Sequence, residues 1–348
     1  MNKSRLDDLA GGSQVTTQGP ALQRSPLVRM AEVFAFSRWY TKILILLACL
    51  LIPFIVHNNY AMRVIIYIYL YIILALGLNV VMGFTGLLNI GHAAFYATGA
   101  YTSAILMTSY GISFWLTVPI GMVVGFTFGL AIGFPTLRLR DDYLAMVTLG
   151  FGQIVYIVAN NWMSLTRGPR GIPGIPPPCI NFFRWHMVID SYKAYYYLIL
   201  LFVLFTVYAC IRARDSRVGL AWMAIREDED VAAVMGINLG FYKTLSFAFS
   251  AALGALAGSF FSVFQAFVSP NSFTILESVI IITIPILGGL GSIPGTIIGA
   301  IIMIGVPEIF RAASEYRMVA VGAFMVLMMI FKPEGLLGKK LYQQVYKA

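Results

Sequence analysis

Two glycine-rich stretches carry polar side chains within otherwise apolar sequence. Residues 77–101 read GLNVVMGFTGLLNIGHAAFYATGAY, and residues 285–300 read PILGGLGSIPGTIIGA. Irregular backbone at membrane depth is tolerated only where it is buried in protein or lines a watery cavity, and paired Gly/Pro interruptions in two halves of a chain indicate a translocation path. Close helix packing through small residues is the alternative explanation. Because both stretches also carry polar groups, we predict a path for a small solute, formed by Asn79, Gly83, Gly86, Asn89, His92, Gly288, Gly289 and Gly291.

The chain places few charges within its apolar sequence. A proton relay through His92 would need acidic partners, but residues 61–134 contain no Asp or Glu, so we expect a hydrogen-bonded structural histidine. Glu277 and Glu308 fall near the predicted outer ends of apolar passages, where solvent or a loop can satisfy them. This scarcity of buried charge argues against an ion-coupled carrier and suits a solute with apolar or neutral polar parts.

A third stretch, residues 212–243, is a polar segment between two apolar runs and reads RARDSRVGLAWMAIREDEDVAAVMGINLGFYK. We predict one short helix over residues 224–235, because the four acids at 227–230 would lie near its N-terminal half and Gly236 is a typical C-terminal stop. Such a helix is either a solvated part of a loop or a docking element that inserts into a cytosolic partner.

The composition excludes a soluble globular domain. Of the 348 residues 59% are hydrophobic and only 11% are charged, whereas soluble domains carry about 25% charged residues. The formal net charge of +9 therefore indicates membrane topology rather than nucleic-acid binding. The three cysteines form no disulfide framework or metal motif, and P-loop, HExxH and GxSxG motifs are absent. We therefore expect no catalytic residues and no metal site.

Apolar runs of transmembrane length predict an all-α polytopic membrane protein. Ten passages are predicted, at about residues 39–56, 61–82, 90–108, 112–134, 143–163, 195–211, 244–266, 275–290, 295–312 and 317–331. The third and eighth are interrupted by Gly and polar residues, so we expect 8–10 transmembrane helices that include broken or re-entrant segments. Most of the 24 lysines and arginines fall on one side if both termini are cytosolic, which predicts an N-in, C-in topology with residues 212–243 in the cytosol.

The domain organisation follows from these passages. Residues 1–38 are predicted to be a partly disordered cytosolic extension, residues 39–338 the transmembrane domain, and residues 339–348 a cytosolic tail. The longest outer loop, residues 166–193, contains RGPRGIPGIPPP, which excludes a regular helix. We interpret this loop as a structureless connector in preference to a stiff surface that receives a partner.

Seven sequence blocks appear in an order that resembles a known family. They lie at residues 86–101, 136–154, 167–176, 224–238, 267–273, 287–300 and 331–338. From about residue 60 to 338 the chain resembles the LivM-type permease subunit of branched-chain amino-acid ABC importers. The resemblance implies an ABC importer permease architecture in the cytoplasmic (inner) membrane of a prokaryote, surrounded by membrane lipid.

The resemblance also implies partners and a coupling segment. The partners would be a second, LivH-like permease, two cytosolic P-loop ATPases and an external substrate-binding protein, with ATP and Mg²⁺ held by the ATPases and no cofactor held by this chain. Residues 212–243 resemble the coupling segment written E-A-A-x-x-x-G, in which Asp230, Val231, Ala232 and Gly236 align and only Ala232 and Gly236 match strictly. The coupling residues would be Ala224, Ile225, Arg226, Glu227, Asp228, Glu229, Asp230, Ala232, Met235 and Gly236.

Three alternatives stay open at this point. The same machinery could carry urea, short amides or aromatic amino acids. An ion-coupled secondary carrier would act without ATPases, and a structural subunit of a membrane complex would leave the glycine-rich breaks free of solute.

Overall fold

The computed structural model describes residues 39–56, 58–136, 141–182, 185–309, 322, 330 and 335–337. Helices occupy nine of the ten predicted passages, which confirms the all-α polytopic fold. The predicted N-terminal extension, nearly all of the tenth passage and the C-terminal tail lie outside the described residues.

The helices of the described part of the chain follow the apolar runs closely. Their bounds are α1 Trp39–Ile55, α2 Asn59–Asn79, α3 His92–Tyr110, α4 Phe114–Thr136, α5 Asp141–Asn161, α6 Met163–Thr166, α7 Tyr192–Arg214, α8 Arg217–Glu227, α9 Glu229–Val234, α10 Leu239–Gln265, α11 Ile275–Gly288 and α12 Ile293–Ile309. A π-helical turn, Val80–Phe84, extends α2, and short 3₁₀ turns occupy Gly168–Arg170 and Pro270–Ser272.

Six helical stretches are long and apolar enough to cross a membrane. They are Asn59–Phe84, Phe114–Phe134, Tyr143–Asn161, Tyr192–Arg214, Leu239–Gln265 and Pro270–Gly288. The α-helical part of the last, α11, has 14 residues and therefore spans about 21 Å, which is less than the ~30 Å hydrocarbon core. Helix α12 packs against α11 after a short turn, so the interrupted eighth passage forms one arm of a helical hairpin.

Helix α10 forms the centre of the bundle, and 83% of its most apolar window is buried. It packs against α2, α3 and α4, while α2 also packs against α7, α11 and α12. The contact with α4 uses a glycine at every fourth position: Gly121, Gly125, Gly129 and Gly133. A methyl group on any of the four would lie less than 3.0 Å from an α10 atom. The glycines therefore allow the two backbones to approach closely, as small residues do between membrane helices.

The described part of the loop at residues 166–193 contains paired strands, so its interpretation as a structureless connector was wrong. Strand β1, Ile172–Pro173, pairs antiparallel with β4, Phe267–Val268, just after α10. Strands β2, Cys179–Phe182, and β3, Trp185–Val188, form a hairpin. The backbone pairing between β1 and β4 gives this loop hydrogen bonds that its glycines and prolines cannot obtain from a helix.

The segment at residues 212–243 contains two helices, α8 and α9, so the prediction of one helix over residues 224–235 was wrong. Asp228 separates the two with an extended backbone, φ −159° and ψ 115°. Its side chain accepts a hydrogen bond from the Val231 backbone N–H at 2.9 Å. An aspartate at this position stabilises the start of a new helix, which outweighs continuation of the first one. Glu229 and Asp230 then occupy the first turn of α9, where the helix dipole favours acids.

Candidate functional site

The two glycine-rich stretches contact each other directly. We call residues 77–101 the first break and residues 285–300 the second break. Asn79, the last residue of α2, is 1% exposed, and its Oδ1 accepts a hydrogen bond from the Gly291 backbone N–H at 2.9 Å across a sequence separation of 212 residues. Gly83 borders the same contact, because a methyl group on it would lie 2.5 Å from the Gly291 nitrogen. A buried hydrogen bond therefore joins the two breaks, while a path for a solute between them stays a prediction.

The π-helical turn Val80–Phe84 ends with backbone carbonyl groups that can accept hydrogen bonds from other elements. π-helical turns occur frequently at functional sites, and the last carbonyl groups of a helix lack intrahelical donors. The Gly83 carbonyl is in this position, and it accepts a hydrogen bond from Arg226 Nη1. Arg226 lies in the last turn of α8, so the polar segment at residues 212–243 contacts the first break directly.

The Arg226 side chain also lies against the glycines that flank this carbonyl. A methyl group on Gly86 would lie 3.1 Å from Arg226 Cγ, and one on Gly291 would lie 2.8 Å from Arg226 Nη1. Both glycines have positive φ, +83° in each case, which other residues adopt at a cost. We refer to Asn79, Gly83, Gly86, Gly291 and Arg226 together as the junction.

Helix α8 is fixed firmly to the start of α10. Trp222 is 1% exposed, and its Nε1 donates a hydrogen bond to the Tyr242 carbonyl at 2.8 Å. Ile225, adjacent to Arg226, is also buried. Because α8 is held by large buried side chains, Arg226 cannot move far unless α8 moves with it.

Helix α9 has one anchored face and one exposed face. Glu229 forms an ion pair with Lys243 of α10, whose side chain is 7% exposed, and Ala232 is buried. On the opposite side, Val231, Val234 and Met235 are 56%, 87% and 79% exposed. We call these three residues the α9 apolar face. Gly236 follows with φ +85°, so it ends the helix as predicted.

For three other predicted coupling residues the structure gives a place in a helix and a degree of exposure. Ala224 is half-buried within α8, Glu227 is exposed at its last position, and Asp230 is exposed in the first turn of α9. Glu227 and Asp230 therefore add acidic side chains beside the α9 apolar face.

Asn89 and His92 are not part of the junction. Asn89 Oδ1 accepts a hydrogen bond from the Gly91 backbone at 3.0 Å, ahead of α3. His92 is fully buried, and its ring lies edge-on to Phe95 with 5.9 Å between ring centroids. Within the described residues neither ring nitrogen makes a hydrogen bond of normal geometry, although the Leu74 carbonyl lies near the ring. The burial fits a structural histidine, and the Leu74 carbonyl is the nearby group that could bond to it.

Gly288 and Gly289 lie at the end of α11, where close packing accounts for both. A methyl group on Gly288 would lie 2.8 Å from the Thr296 nitrogen of α12, and the backbone of Gly335 packs against Gly289. The backbone N–H groups of Leu336 and Leu337 donate to the Leu287 and Gly288 carbonyls at 3.0 Å each, which satisfies the end of α11. A role for these two glycines in the path stays a prediction.

Glu277 bonds to a neighbouring helix, in addition to any contact with solvent that its partial exposure allows. Its Oε1 accepts a hydrogen bond from the Tyr71 hydroxyl at 2.6 Å, which joins α11 to α2. Glu277 therefore contributes to the contact between α11 and α2.

Replacing Asn79 by Ala is expected to lower the stability of the chain. The change would leave the buried Gly291 N–H without an acceptor, at a cost of about 1–3 kcal/mol. Thermal unfolding in detergent measures the effect. The control is Asn161→Ala, because Asn161 bonds only within α5 at an exposed position. Equal unfolding midpoints for the two variants would contradict the assigned contact.

Comparison with known proteins identifies the family of the chain. Residues 60–331 match the family described as "Branched-chain amino acid transport system / permease component". The chain is 42% identical over 287 residues to the high-affinity branched-chain amino acid transport system permease protein LivM of Escherichia coli K12, covering 77% of this chain and 68% of that protein. It is 27% identical to the LivH permease protein of Salmonella typhimurium, covering 79% of this chain and 93% of that protein.

No solved structure matches the chain significantly. The family match spans more than half of the sequence and includes both breaks, the segment at residues 212–243 and α2 to α12. The chain therefore belongs to the permease-component family of branched-chain amino acid transport systems, and it is a multi-pass membrane transport subunit rather than an enzyme.

Proposed function

We propose that this chain is one of two permeases of an ATP-driven importer for branched-chain or related neutral amino acids, and that α8 and α9 couple it to separate cytosolic ATPases. The observation that carries the proposal is the position of α9. Its apolar face is exposed, while its other face is anchored to α10 and adjoins the helix that supplies Arg226 to the junction.

The α9 apolar face suits a docking surface better than a solvated loop. A helix in a solvated loop would turn its apolar residues toward the protein, but here the buried residue is Ala232 and the large side chains point outward. Short apolar helix faces typically bind in grooves of partner proteins. Asp228 and Asp230 border the face, so a groove with basic residues at its rim would complement it.

The proposed mechanism uses rigid connections. When ATP binding closes the ATPase dimer, α8 and α9 move with the subunits on which they rest. Arg226 of α8 bonds to the Gly83 carbonyl, and Trp222 of α8 bonds to Tyr242 of α10. Movement of α8 therefore displaces the two breaks and switches access to the path. Hydrolysis then resets the arrangement. ATP and Mg²⁺ are held by the ATPases, and an external binding protein delivers the amino acid.

The proposed cargo follows from the relatives and from the chemistry of the helices. The relatives are named as permeases for branched-chain amino acids. In the described helices Glu277 is engaged by Tyr71, and the breaks supply amide and backbone groups. These groups suit a small neutral solute with an apolar side chain, and urea, short amides and aromatic amino acids are the competitors that an uptake assay must include.

Affinity purification of the tagged chain in mild detergent, followed by mass spectrometry, tests the proposal. We expect to recover a second permease and two P-loop ATPases. Recovery of the chain alone across several detergents would contradict the proposal and favour a carrier that acts without ATPases.

The proposed orientation gives a separate test with a native reporter. Cys179 is exposed in the outer loop and Cys210 is buried, while Val234 is exposed on α9. In intact spheroplasts a membrane-impermeant maleimide is expected to label Cys179 and to leave a Val234→Cys variant unlabelled at position 234. After permeabilisation, position 234 is expected to react. Labelling of position 234 from outside would overturn the N-in, C-in topology.

A further inference from the structure

We propose that Arg226 is the positioning residue that transmits movement of α8 and α9 to the point where the two intramembrane breaks meet. This inference rests on the proposed function, since it assigns a residue to the coupling step. It goes beyond that function because a docking surface alone does not specify how movement of the cytosolic segment reaches the path.

The first argument is connectivity. Arg226 Nη1 bonds to the Gly83 carbonyl in the first break, and a methyl group on Gly291 of the second break would lie 2.8 Å from the same nitrogen. Gly291 in turn donates to Asn79 at the end of α2. One side chain therefore contacts the π-helical turn that extends α2 and the turn between α11 and α12.

The second argument is the chemistry of the contact. The carbonyl end of a helix carries partial negative charge, and a cation in this position is attracted to it. The guanidinium of arginine carries a positive charge and directs its N–H groups at the carbonyl in a fixed geometry. The bond is therefore a durable, charge-assisted link between a cytosolic helix and an intramembrane turn.

The third argument is the stiffness of the surroundings. On the cytosolic side, Trp222 and Ile225 hold α8 through buried contacts. On the membrane side, Gly86 allows the Arg226 side chain to approach the backbone closely, since a methyl group there would lie 3.1 Å from Arg226 Cγ. With little free space at either end, displacement of α8 must displace the junction or break the bond.

The test uses the complete importer in proteoliposomes, with both permeases, the two ATPases and the binding protein. Two quantities are measured, the amount of amino acid transported per ATP hydrolysed and the thermal unfolding midpoint of the complex. For Arg226→Ala we expect the transported amount per ATP to fall by about tenfold, the effect of losing one charged hydrogen bond at the coupling step. Arg226→Lys keeps the charge and is expected to fall between the alanine variant and the wild type.

Arg217→Ala is the matched control, because Arg217 is exposed at the start of the same helix. It is expected to keep the wild-type ratio. A wild-type ratio in both Arg226 variants would overturn the inference, and so would a lowered uptake that merely follows a lowered unfolding midpoint. If Arg226→Ala does not assemble, a wild-type ratio in Arg226→Lys would still overturn it. A wild-type chain that assembles with no ATPase would instead contradict the proposed function, so the two failures are distinct.

Discussion

Replacing Val234 and Met235 together by Asp is expected to abolish ATP-driven uptake while the chain still inserts into the membrane. Both side chains are almost fully exposed and belong to the α9 apolar face. Buried apolar anchors in protein interfaces commonly contribute about 2 kcal/mol each, so the double change is expected to weaken docking by roughly a thousandfold. Uptake in cells and recovery of the ATPases with the tagged chain measure the effect.

The matched control changes the same two positions to Leu. This variant keeps an apolar surface, so it should retain most uptake if the face is buried in a groove. Normal uptake and normal recovery of the ATPases with the Asp variant would show that α9 is a solvated helix and that coupling occurs elsewhere.

Replacing Gly129 by Leu is expected to prevent the chain from folding. A methyl group at this position would already lie 2.6 Å from Ala248 Cα and 2.8 Å from the Phe247 carbonyl oxygen of α10. Because both neighbours are backbone atoms, a change of rotamer cannot relieve the overlap. Overpacking ordinarily costs about 1–3 kcal/mol, and a leucine in this contact would exceed that range and consume much of a typical stability of ~5–15 kcal/mol.

The yield of monodisperse protein in size-exclusion chromatography measures this effect. Gly150→Leu is the control, because a methyl group on Gly150 of α5 has no other atom within 4 Å. Equal yields from the two variants would mean that the glycine row of α4 does not set the distance between α4 and α10.

The sequence was sufficient to predict the helices because apolar length alone specifies a membrane passage. The predicted helix ends differ from those of the structure where polar residues continue a helix beyond the apolar run. Helix α10 begins at Leu239 rather than near residue 244, since the Asn238 side chain accepts a hydrogen bond from the Phe241 N–H at 3.1 Å. This capping signal was present in the sequence and was missed. The four-residue glycine spacing of α4 was missed as well, although it is typical of close helix packing.

The contact between the two breaks could not be predicted from local pattern. Asn79 and Gly291 are far apart in the sequence, and no rule of spacing specifies that they bond. Arg226 lies beside a run of four acids, where a charged residue is ordinarily solvated, so its contact with Gly83 also depends on the tertiary fold. The sequence therefore identified the members of the junction without indicating that they meet.

The two strict matches to the coupling motif have structural explanations. Ala232 is 3% exposed, because α9 rests on this residue where it faces the protein. Gly236 has φ +85° and lets the chain turn toward α10. The positions that match poorly, Asp230 and Val231, are exposed and free to differ with the partner. Ala232 and Gly236 thus determine how α9 is held, and the exposed residues form the surface that the proposed docking uses.

Uptake by proteoliposomes tests the central claim most directly. One preparation contains this chain alone with a proton or sodium gradient, and the other contains the complete importer with ATP on the ATPase side. We predict that leucine accumulates only in the complete importer, only with ATP, and not when Val234 and Met235 are replaced by Asp. Gradient-driven accumulation by the chain alone, or ATP-driven uptake that ignores the change in α9, would contradict the account.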